Sequence, residues 1–472
     1  MSLNVALQYA LSGLTTTQAQ LQVLSGNIAN AQTPGYSRET LPQTSTPATT
    51  GGAGVVTGAI QRVTDKILQA SVLQQTSTAG TASTLDDYLK QVQTLIGQVD
   101  AGNTIGDAFN SFASAMQTLA TTPQDPMAQQ GAVNAAQQLA QNLNSLSSGI
   151  QSVRQSADSQ IATDVGTLNG ALDTIGQLNQ QISGLQALGQ PTATLEDQRD
   201  QAVAQVAQLV GISTYSRPDG TLEVLTAQGK TLVDGSIVQH FSYTQAGTVT
   251  AATPLSALTV DGIDVTSETT SGEIGGLLQM RDTALPDLTA EVNQFANNLF
   301  NVAATPGLQT TNSGLGATND ANHIFAGVNI AAGVDNAATI QVNPDLLTNP
   351  ALLDTGVGGP DPSIAQTLSS NLQGTATFAA AGTLPATTTS LNSYVGQIIG
   401  SAASAASAAT SNAQDQSALL TQMQSQYTSE TGVNLDSELS TLIIYQNAYS
   451  ASARVISTIQ SMYDALMNIS TS

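Results

Sequence analysis

Both ends of the chain carry apolar residues at heptad spacing in almost uncharged sequence. Residues 2 to 37 contain no charged side chain, and the spacing near the N-terminus alternates between four and three residues without interruption. This periodicity is typical of helices that pack along another helix, so it predicts a front helix that ends near Asn27 to Asn30. Thr33-Pro34-Gly35-Tyr36 then predicts a type II turn, with Pro at its second and Gly at its third position. The front row consists of Leu3, Leu7, Ala10, Leu14, Thr17, Leu21, Leu24 and Ile28.

The C-terminal end predicts a second helix with the same rhythm. Its main row is Leu435, Leu439, Leu442, Gln446, Tyr449, Ala453, Ile456, Gln460, Tyr463 and Met467. A neighbouring stripe makes the helix apolar over a wide arc, so one partner helix cannot cover it, and other copies of the chain are candidates for the rest. This second stripe is Val455, Ile459, Met462, Leu466 and Ile469.

The middle of the chain changes texture twice. Apolar spacing predicts one very long helix over 139–185, or two helices because three glycines interrupt it. Residues 211–272 show β-branched runs between Asp-Gly and Gln-Gly pairs, which predicts hairpins and a small inserted β domain. Residues 277–300 are predicted helical, 301–390 mixed and rich in loops, and 391–430 helical.

These elements predict a mainly α fold with a small β insertion and three parts. The first part is a coiled-coil-like terminal domain in which the N- and C-terminal helices pair, residues 1–58 plus 425–472. The second is a long-helix bundle, residues 59–210 plus 273–424, and the third is an outer β domain, residues 211–272. Residues 40–58 within the first part are expected to form an extended linker or irregular arm.

Composition limits the function classes. The formal net charge of −23 argues against nucleic acid or an anionic membrane as the main partner. No cysteine is present, which excludes disulfides and thiolate chemistry. No stretch reaches the length of a membrane span, and the N-terminus has no basic and apolar leader, so secretion would proceed without a cleaved signal peptide.

Catalytic chemistry is not indicated. His240 and His323 are the two histidines, and no Gly-Xaa-Ser-Xaa-Gly turn supports a serine nucleophile. Gly314-Leu315-Gly316 lacks the third glycine of a phosphate loop and is expected to be an ordinary loop. We predict no catalytic residue, cofactor or metal, and expect the carboxylates that could bind a cation to form solvated faces or to pair with Arg199: Asp86, Asp87, Glu196, Asp197 and Asp200.

Specific motifs at both ends resemble flagellar axial proteins. Residues 25–30, Ser-Gly-Asn-Ile-Ala-Asn, precede 33–38, Thr-Pro-Gly-Tyr-Ser-Arg, as in rod, hook and hook-associated proteins. Residues 432–436, 445–449 and 451–456, with interior segments 195–200, 229–233 and 276–282, resemble the flagellar hook-associated protein 1 family. The matching motif positions are Asn27, Ile28, Ala29, Asn30, Thr33, Pro34, Gly35, Tyr36, Tyr445, Gln446, Ala453 and Arg454.

This resemblance implies an extracellular structural subunit of the bacterial flagellum at the junction of hook and filament, exported by the flagellar type III apparatus. Implied partners are identical copies, the hook protein, a second junction protein and an export chaperone on the C-terminal helix. Alternatives are a hook or distal-rod axial protein and a secreted adhesin or surface-layer protein. The expected assembly interface is Leu3, Leu7, Leu14, Leu21, Leu24, Ile28, Leu435, Leu439, Leu442, Tyr449, Ile456, Ile459, Tyr463 and Leu466.

Overall fold

Long helices dominate the computed structural model, which describes residues 3–46, 54–97, 104–311, 320–329 and 334–470. Residues 280–284 form a π-helical turn, and residues 350–354 form a 3₁₀ turn. The helices are α1 (Leu3–Asn30), α2 (Lys66–Ile96), α3 (Ile105–Thr121), α4 (Pro126–Ala187), α5 (Ala193–Leu209), α6 (Gly272–Gln279), α7 (Leu285–Val302), α8 (Asn336–Thr339), α9 (Pro344–Thr348), α10 (Ser363–Gln373), α11 (Leu391–Thr431) and α12 (Leu435–Ser470).

The strands are short and antiparallel. The largest sheet of the described part is a four-stranded meander in the order β5-β6-β7-β8, and most of the others are two-stranded. They are β1 (Glu39–Thr40), β2 (Gln43–Thr46), β3 (Gly54–Thr57), β4 (Gln61–Arg62), β5 (Ile212–Ser216), β6 (Leu222–Thr226), β7 (Thr231–Asp234), β8 (Ile237–Val238), β9 (Phe241–Ser242), β10 (Thr259–Val260), β11 (Ile263–Asp264), β12 (Phe325–Ala326), β13 (Gln341–Val342), β14 (Thr355–Gly356), β15 (Gly359–Pro360), β16 (Thr375–Phe378) and β17 (Thr387–Ser390).

The predicted mainly α class with small sheets is confirmed. Of the two alternatives predicted for residues 139–185, the structure has one helix, α4. It runs unbroken for 62 residues, which corresponds to about 93 Å at 1.5 Å per residue. The helix continues through the three glycines that could have broken it: an added Cβ would meet open space at Gly166 and Gly170, and Val238 at 2.6 Å at Gly176. A continuous buried row that includes Ile150, Ile161 and Leu168 holds the helix despite the low helix propensity of glycine.

Local turn chemistry places the strands where the sequence predicts them. The hairpin of β10 and β11 turns at Asp261 and Gly262, both with positive φ (52° and 71°), as the tight type I′ turn requires. The expectation of an irregular arm over 40–58 is wrong for its described residues, because β2 and β3 pair from Gln43 with Thr57 to Thr46 with Gly54. Backbone hydrogen bonds between Thr- and Val-rich segments explain this hairpin.

Two compact units emerge from the contacts between residues. One contains residues 1–79, 167–241 and 416–472, and the other contains 80–166 and 242–415. The three-part division proposed from the sequence stays a prediction. In the second unit, Phe109 packs edge-on against Phe295 and Phe112 against Phe325, with ring centroids 6.0 and 5.6 Å apart.

The π-helical turn of the second unit buries a charged side chain. Arg281 is 2% exposed and bonds to Asp282 in its own turn, at 2.8 and 2.7 Å. It also donates to the hydroxyl of Tyr243, which donates in turn to Asp158. Because every member of this network is hydrogen-bonded, the buried charge is tolerated.

Candidate functional site

The two terminal helices pair in antiparallel orientation within the first unit. Asn4 near the start of α1 accepts a hydrogen bond from the Tyr463 hydroxyl near the end of α12, and Asn27 contacts Glu438 at the opposite ends. The predicted front row forms part of the buried face of α1, together with Thr16, Val23 and Asn27. Its members Ala10, Thr17 and Leu24 are buried, and the others are half-buried: Leu3, Leu7, Leu14, Leu21 and Ile28.

The contact row of α12 is shifted from the row predicted from the sequence. Its buried or half-buried positions are Glu438, Thr441, Leu442, Tyr445, Ser452, Ile456, Ile459 and Tyr463. The two rows share Leu442, Ile456 and Tyr463, whereas Ile459, assigned to the second stripe, is 5% exposed. Glu438 explains the shift, because its polar contacts at the base of the pair fix the rotation of α12.

A wide apolar surface remains on the outside of α12. It includes positions predicted for assembly, and each of its large side chains is between 41% and 63% exposed. Patches of this kind mark interaction sites in soluble proteins. The exposed side chains are Leu435, Leu439, Ile443, Ile444, Val455, Met462, Leu466 and Met467.

The outer face of α1 is polar but uncharged. Its exposed positions follow the same four-and-three spacing as the inner row, and Leu11 is their large apolar member, 52% exposed. An uncharged amide and hydroxyl surface can approach another helix without desolvating a charge. These positions are Gln8, Leu11, Thr15, Gln18, Gln22, Ser25 and Ala29.

A polar cluster closes the base of the helix pair, and Asn27 is its centre. The Asn27 side chain is 2% exposed, and its amide nitrogen donates to the Glu39 carbonyl at 2.9 Å and to Glu438 Oε2 at 3.3 Å. Its oxygen accepts from the Glu39 backbone N–H and from the Tyr36 hydroxyl, both at 2.9 Å. Arg38 Nε completes the cluster by donating to Glu438 Oε1 at 2.8 Å. We call Asn27, Tyr36, Arg38, Glu39 and Glu438 the Asn27 cluster.

The Thr33-Pro34-Gly35-Tyr36 turn delivers Tyr36 to that cluster. Gly35 has φ of 78°, and the Tyr36 N–H donates to the Thr33 carbonyl at 3.2 Å, which matches the predicted type II turn. Burial, reinforced by Glu39, raises the pKa of Tyr36 well above its usual value. The phenol therefore stays protonated and donates to Asn27.

Arg62 anchors β4 to α5. Its guanidinium is 7% exposed and bonds to Glu196 at 2.9 Å, Asp197 at 2.5 Å and Asp200 at 2.9 Å. The sequence-based expectation that these carboxylates pair with Arg199 is wrong. Arg199 points instead to Asn179 Oδ1 and the Gly220 carbonyl, at 3.0 and 2.7 Å.

The remaining motif positions divide between the turn and the outer surface. Asn30 donates to the Gly26 carbonyl at 3.0 Å, and Thr33 donates to Asn30 Oδ1 at 3.3 Å. Other motif positions are exposed and make no side-chain contact with the Asn27 cluster: Ala29, Pro34, Gln446, Ala453 and Arg454. Some motif residues therefore form the turn beside the Asn27 cluster, and others lie on the exposed surface. Contacts of the motif residues with other copies of the chain stay a prediction.

Sequence reasoning missed Glu39, Glu438, Arg38 and Arg62 as members of the site. Glu438 and Arg38 lie 400 positions apart, so no local pattern could join them. The available signal was charge scarcity: within residues 2–60, Arg38 and Glu39 are the charged side chains. A charge in such neutral sequence needs a partner.

Sites for small ligands are not apparent in the part of the chain that the structure describes. No group of three or more His, Asp or Glu side chains is arranged there to hold a metal ion. None of its helices is both long and apolar enough to cross a membrane. His240 bonds to Asp173 at 2.8 Å, and the His323 ring stacks on Phe300 at 4.1 Å, contacts that suit structural histidines.

Family models match three parts of the chain. The flagellar hook-associated protein FlgK helical domain matches residues 89–318. The C-terminal region of the flagellar basal body rod FlgEFG proteins matches residues 424–469, and the flagella basal body rod protein model matches residues 7–36. The last two ranges contain most of α12 and α1, respectively.

Two relatives are named flagellar hook-associated protein 1, and one solved structure is a hook junction protein. Flagellar hook-associated protein 1 of Escherichia coli is 24% identical, with 98% of each chain covered. The protein of that name from Salmonella typhimurium is 26% identical over 64% of this chain, and the match spans only 56% of the relative's length. The flagellar hook junction protein FlgK from Burkholderia pseudomallei is 27% identical, with a TM-score of 0.46 over 54% of this chain and 46% of that one. The chain is thus similar to flagellar hook-associated protein 1 over almost its whole length, and residues 89–318 match the helical domain of that family.

Proposed function

We propose that this chain is a structural subunit of the bacterial flagellum that forms the junction between hook and filament. The observation that carries the proposal is the terminal helix pair, whose outer surface is apolar on α12 and neutral on α1. The names of the relatives support the place in the flagellum. Neighbouring copies would supply the surface that covers the pair.

The free energy for assembly would come from the exposed apolar side chains of α12. Burying the remaining surface of a half-exposed Leu or Ile gains about 1 kcal/mol at about 25 cal/mol per Å². Eight large apolar side chains of α12 are exposed to this degree, so covering them gains several kcal/mol per copy. A contact of that strength, repeated in every copy, can order helices that are marginal in the free chain.

Folding and assembly are therefore coupled in this proposal. The terminal helices stay mobile in the free subunit and become an inner helical layer when copies meet. A chain with mobile ends suits unfolded export through the flagellar type III apparatus. A chaperone that holds the C-terminal helix before export would cover the same apolar surface, and the hook protein and a second junction protein would flank the assembled copies outside the cell.

A second candidate is a hook or distal-rod axial protein. The family models that match residues 7–36 and 424–469 carry rod-protein descriptions, which favours this alternative at the two ends. The match of residues 89–318 to a hook-associated helical domain favours the junction. Incubation of the chain with isolated rods and with isolated hooks would separate the two.

The test combines electron microscopy with limited proteolysis. Purified chain is incubated with isolated hooks, with untreated hooks as the control, and we expect added density at the hook tip. No added density would contradict the junction role. Cleavage within residues 1–35 and 435–472 should occur in the free chain and be suppressed after incubation, whereas protease resistance of both ends in the free chain would contradict coupled folding.

A further inference from the structure

The face of α12 opposite α1 carries two opposite charges on a neutral strip. Asp436 and Arg454 are 18 residues apart, which is about five turns and about 27 Å of helix. Five whole turns place both side chains on one line along the helix. Exposed positions between them on this face, Ser440, Ile443 and Asn447, are uncharged.

Both charges are exposed, and neither has an ion pair among the described residues. Other carboxylates of this region are less well placed for Arg454. Asp464 lies ten residues further along α12, which turns it about 80° away from the line of Arg454. Glu430 belongs to α11 and accepts a hydrogen bond from Gln426 at 3.4 Å.

We propose that Arg454 of one copy pairs with Asp436 of the next copy, so that neighbouring α12 helices lie parallel with an axial offset of about 27 Å. This inference rests on the proposed function, because copies that add to one end of an axial structure share one orientation. The partner is a second copy of this chain, and charge complementarity selects it. The apolar side chains of α12 provide adhesion, and the charge pair selects the register.

The neutral strip alone does not fix the axial register of two neighbouring α12 helices. A charge pair is needed to select it. Uncharged amide, hydroxyl and aliphatic surfaces can slide along one another with small changes in free energy, whereas opposite charges favour one offset and like charges penalise others. The same two charges would also meet in an antiparallel pair of α12 helices, which would close on itself as a dimer. The experiment below distinguishes the two arrangements.

Disulfide trapping tests the offset directly, because the chain contains no cysteine. The double variant Ser440→Cys/Thr458→Cys keeps both charges and places two thiols on one face with the same 18-residue separation. Oxidation after incubation with isolated hooks should give a ladder of covalent multimers. The matched control Ser440→Cys/Ala465→Cys has a 25-residue separation and should give none.

Charge reversal tests the pair itself. Arg454→Asp and Asp436→Arg should each reduce incorporation at hook tips about fivefold, the upper range for one exposed ion pair, and the double reversal should recover it. The control Asp464→Arg should incorporate like the unmodified chain. Circular dichroism of each variant verifies that these exposed substitutions leave the fold intact.

The outcomes separate this inference from the proposed function. In the antiparallel arrangement residue 440 would lie opposite 450 and residue 458 opposite 432, so the two thiols would not meet. Absence of multimers larger than a dimer would therefore overturn the inference. Equal ladders from both cysteine pairs, or no ladder despite density at the hook tip, would also overturn it while the junction role stands. Failure of the unmodified chain to add to hooks would overturn both.

Discussion

Arg62 provides the most quantitative test of how the motif segment is held to α5. Replacing it with Ala removes one cation from three carboxylates at 2.5 to 2.9 Å, of which the Asp197 side chain is 9% exposed. Breaking a buried pair by removing one partner typically costs about 3–5 kcal/mol. Water reaches Glu196 and Asp200, 27% and 21% exposed, so we expect the lower end, about 3 kcal/mol.

Hydrogen exchange of the α5 peptides, residues 193–209, measures this loss. A cost of about 3 kcal/mol in the free energy of local opening corresponds to exchange about 150-fold faster in Arg62→Ala. The matched control is Lys66→Ala, four positions along, which removes an exposed cation with no ion pair among the described residues and should change exchange less than about twofold. Acceleration below about tenfold in Arg62→Ala, or the same acceleration in Lys66→Ala, would refute this reasoning.

Three further predictions follow from individual positions. Leu21→Asp or Ile456→Asp places a charge in the contact row of the terminal pair. Circular dichroism should show that the middle of the chain stays folded, whereas incorporation into hooks should be blocked. Normal motility of cells that carry either variant would contradict this. Gly35→Ala should lower the melting temperature, because φ is 78° and the new Cβ would lie 2.6 Å from the Gln201 side chain, whereas Gly26→Ala, with open space, should not. Burial raises the pKa of Asp164 to about 6, so stability should fall as pH rises from about 4 through 6; Asp164→Asn should remove this slope in thermal melts.

The sequence predicted elements whose cause is local. The Pro-Gly turn before Tyr36 and the Asp-Gly turn of the β10–β11 hairpin depend on the φ preferences of two adjacent residues, and both were confirmed. The front helix was predicted close to its end at Asn30, whereas three of its buried side chains, Thr16, Val23 and Asn27, lie outside the predicted row. Fold class followed from these elements.

Features set by distant contacts could not be predicted in this way. The apolar arc of α12 is wide enough to permit several contact rows, and the polar contacts of Glu438 select one of them. In the sequence Arg199 lies next to Asp200 and two positions from Asp197, yet the tertiary fold brings Arg62, 135 positions away, to Asp197. Helix periodicity predicted one long helix over 139–185 but left two helices open, because the low helix propensity of glycine opposes the burial of the apolar row there.

Electron cryomicroscopy of hooks incubated with purified chain tests the proposed assembly most directly. We expect a ring of subunits at the hook tip whose α1 and α12 form an inner helical layer, with the apolar outer surface of α12 covered by neighbouring copies. A map in which subunits bind the hook through other parts of the chain, with the outer surface of α12 facing solvent, would contradict it.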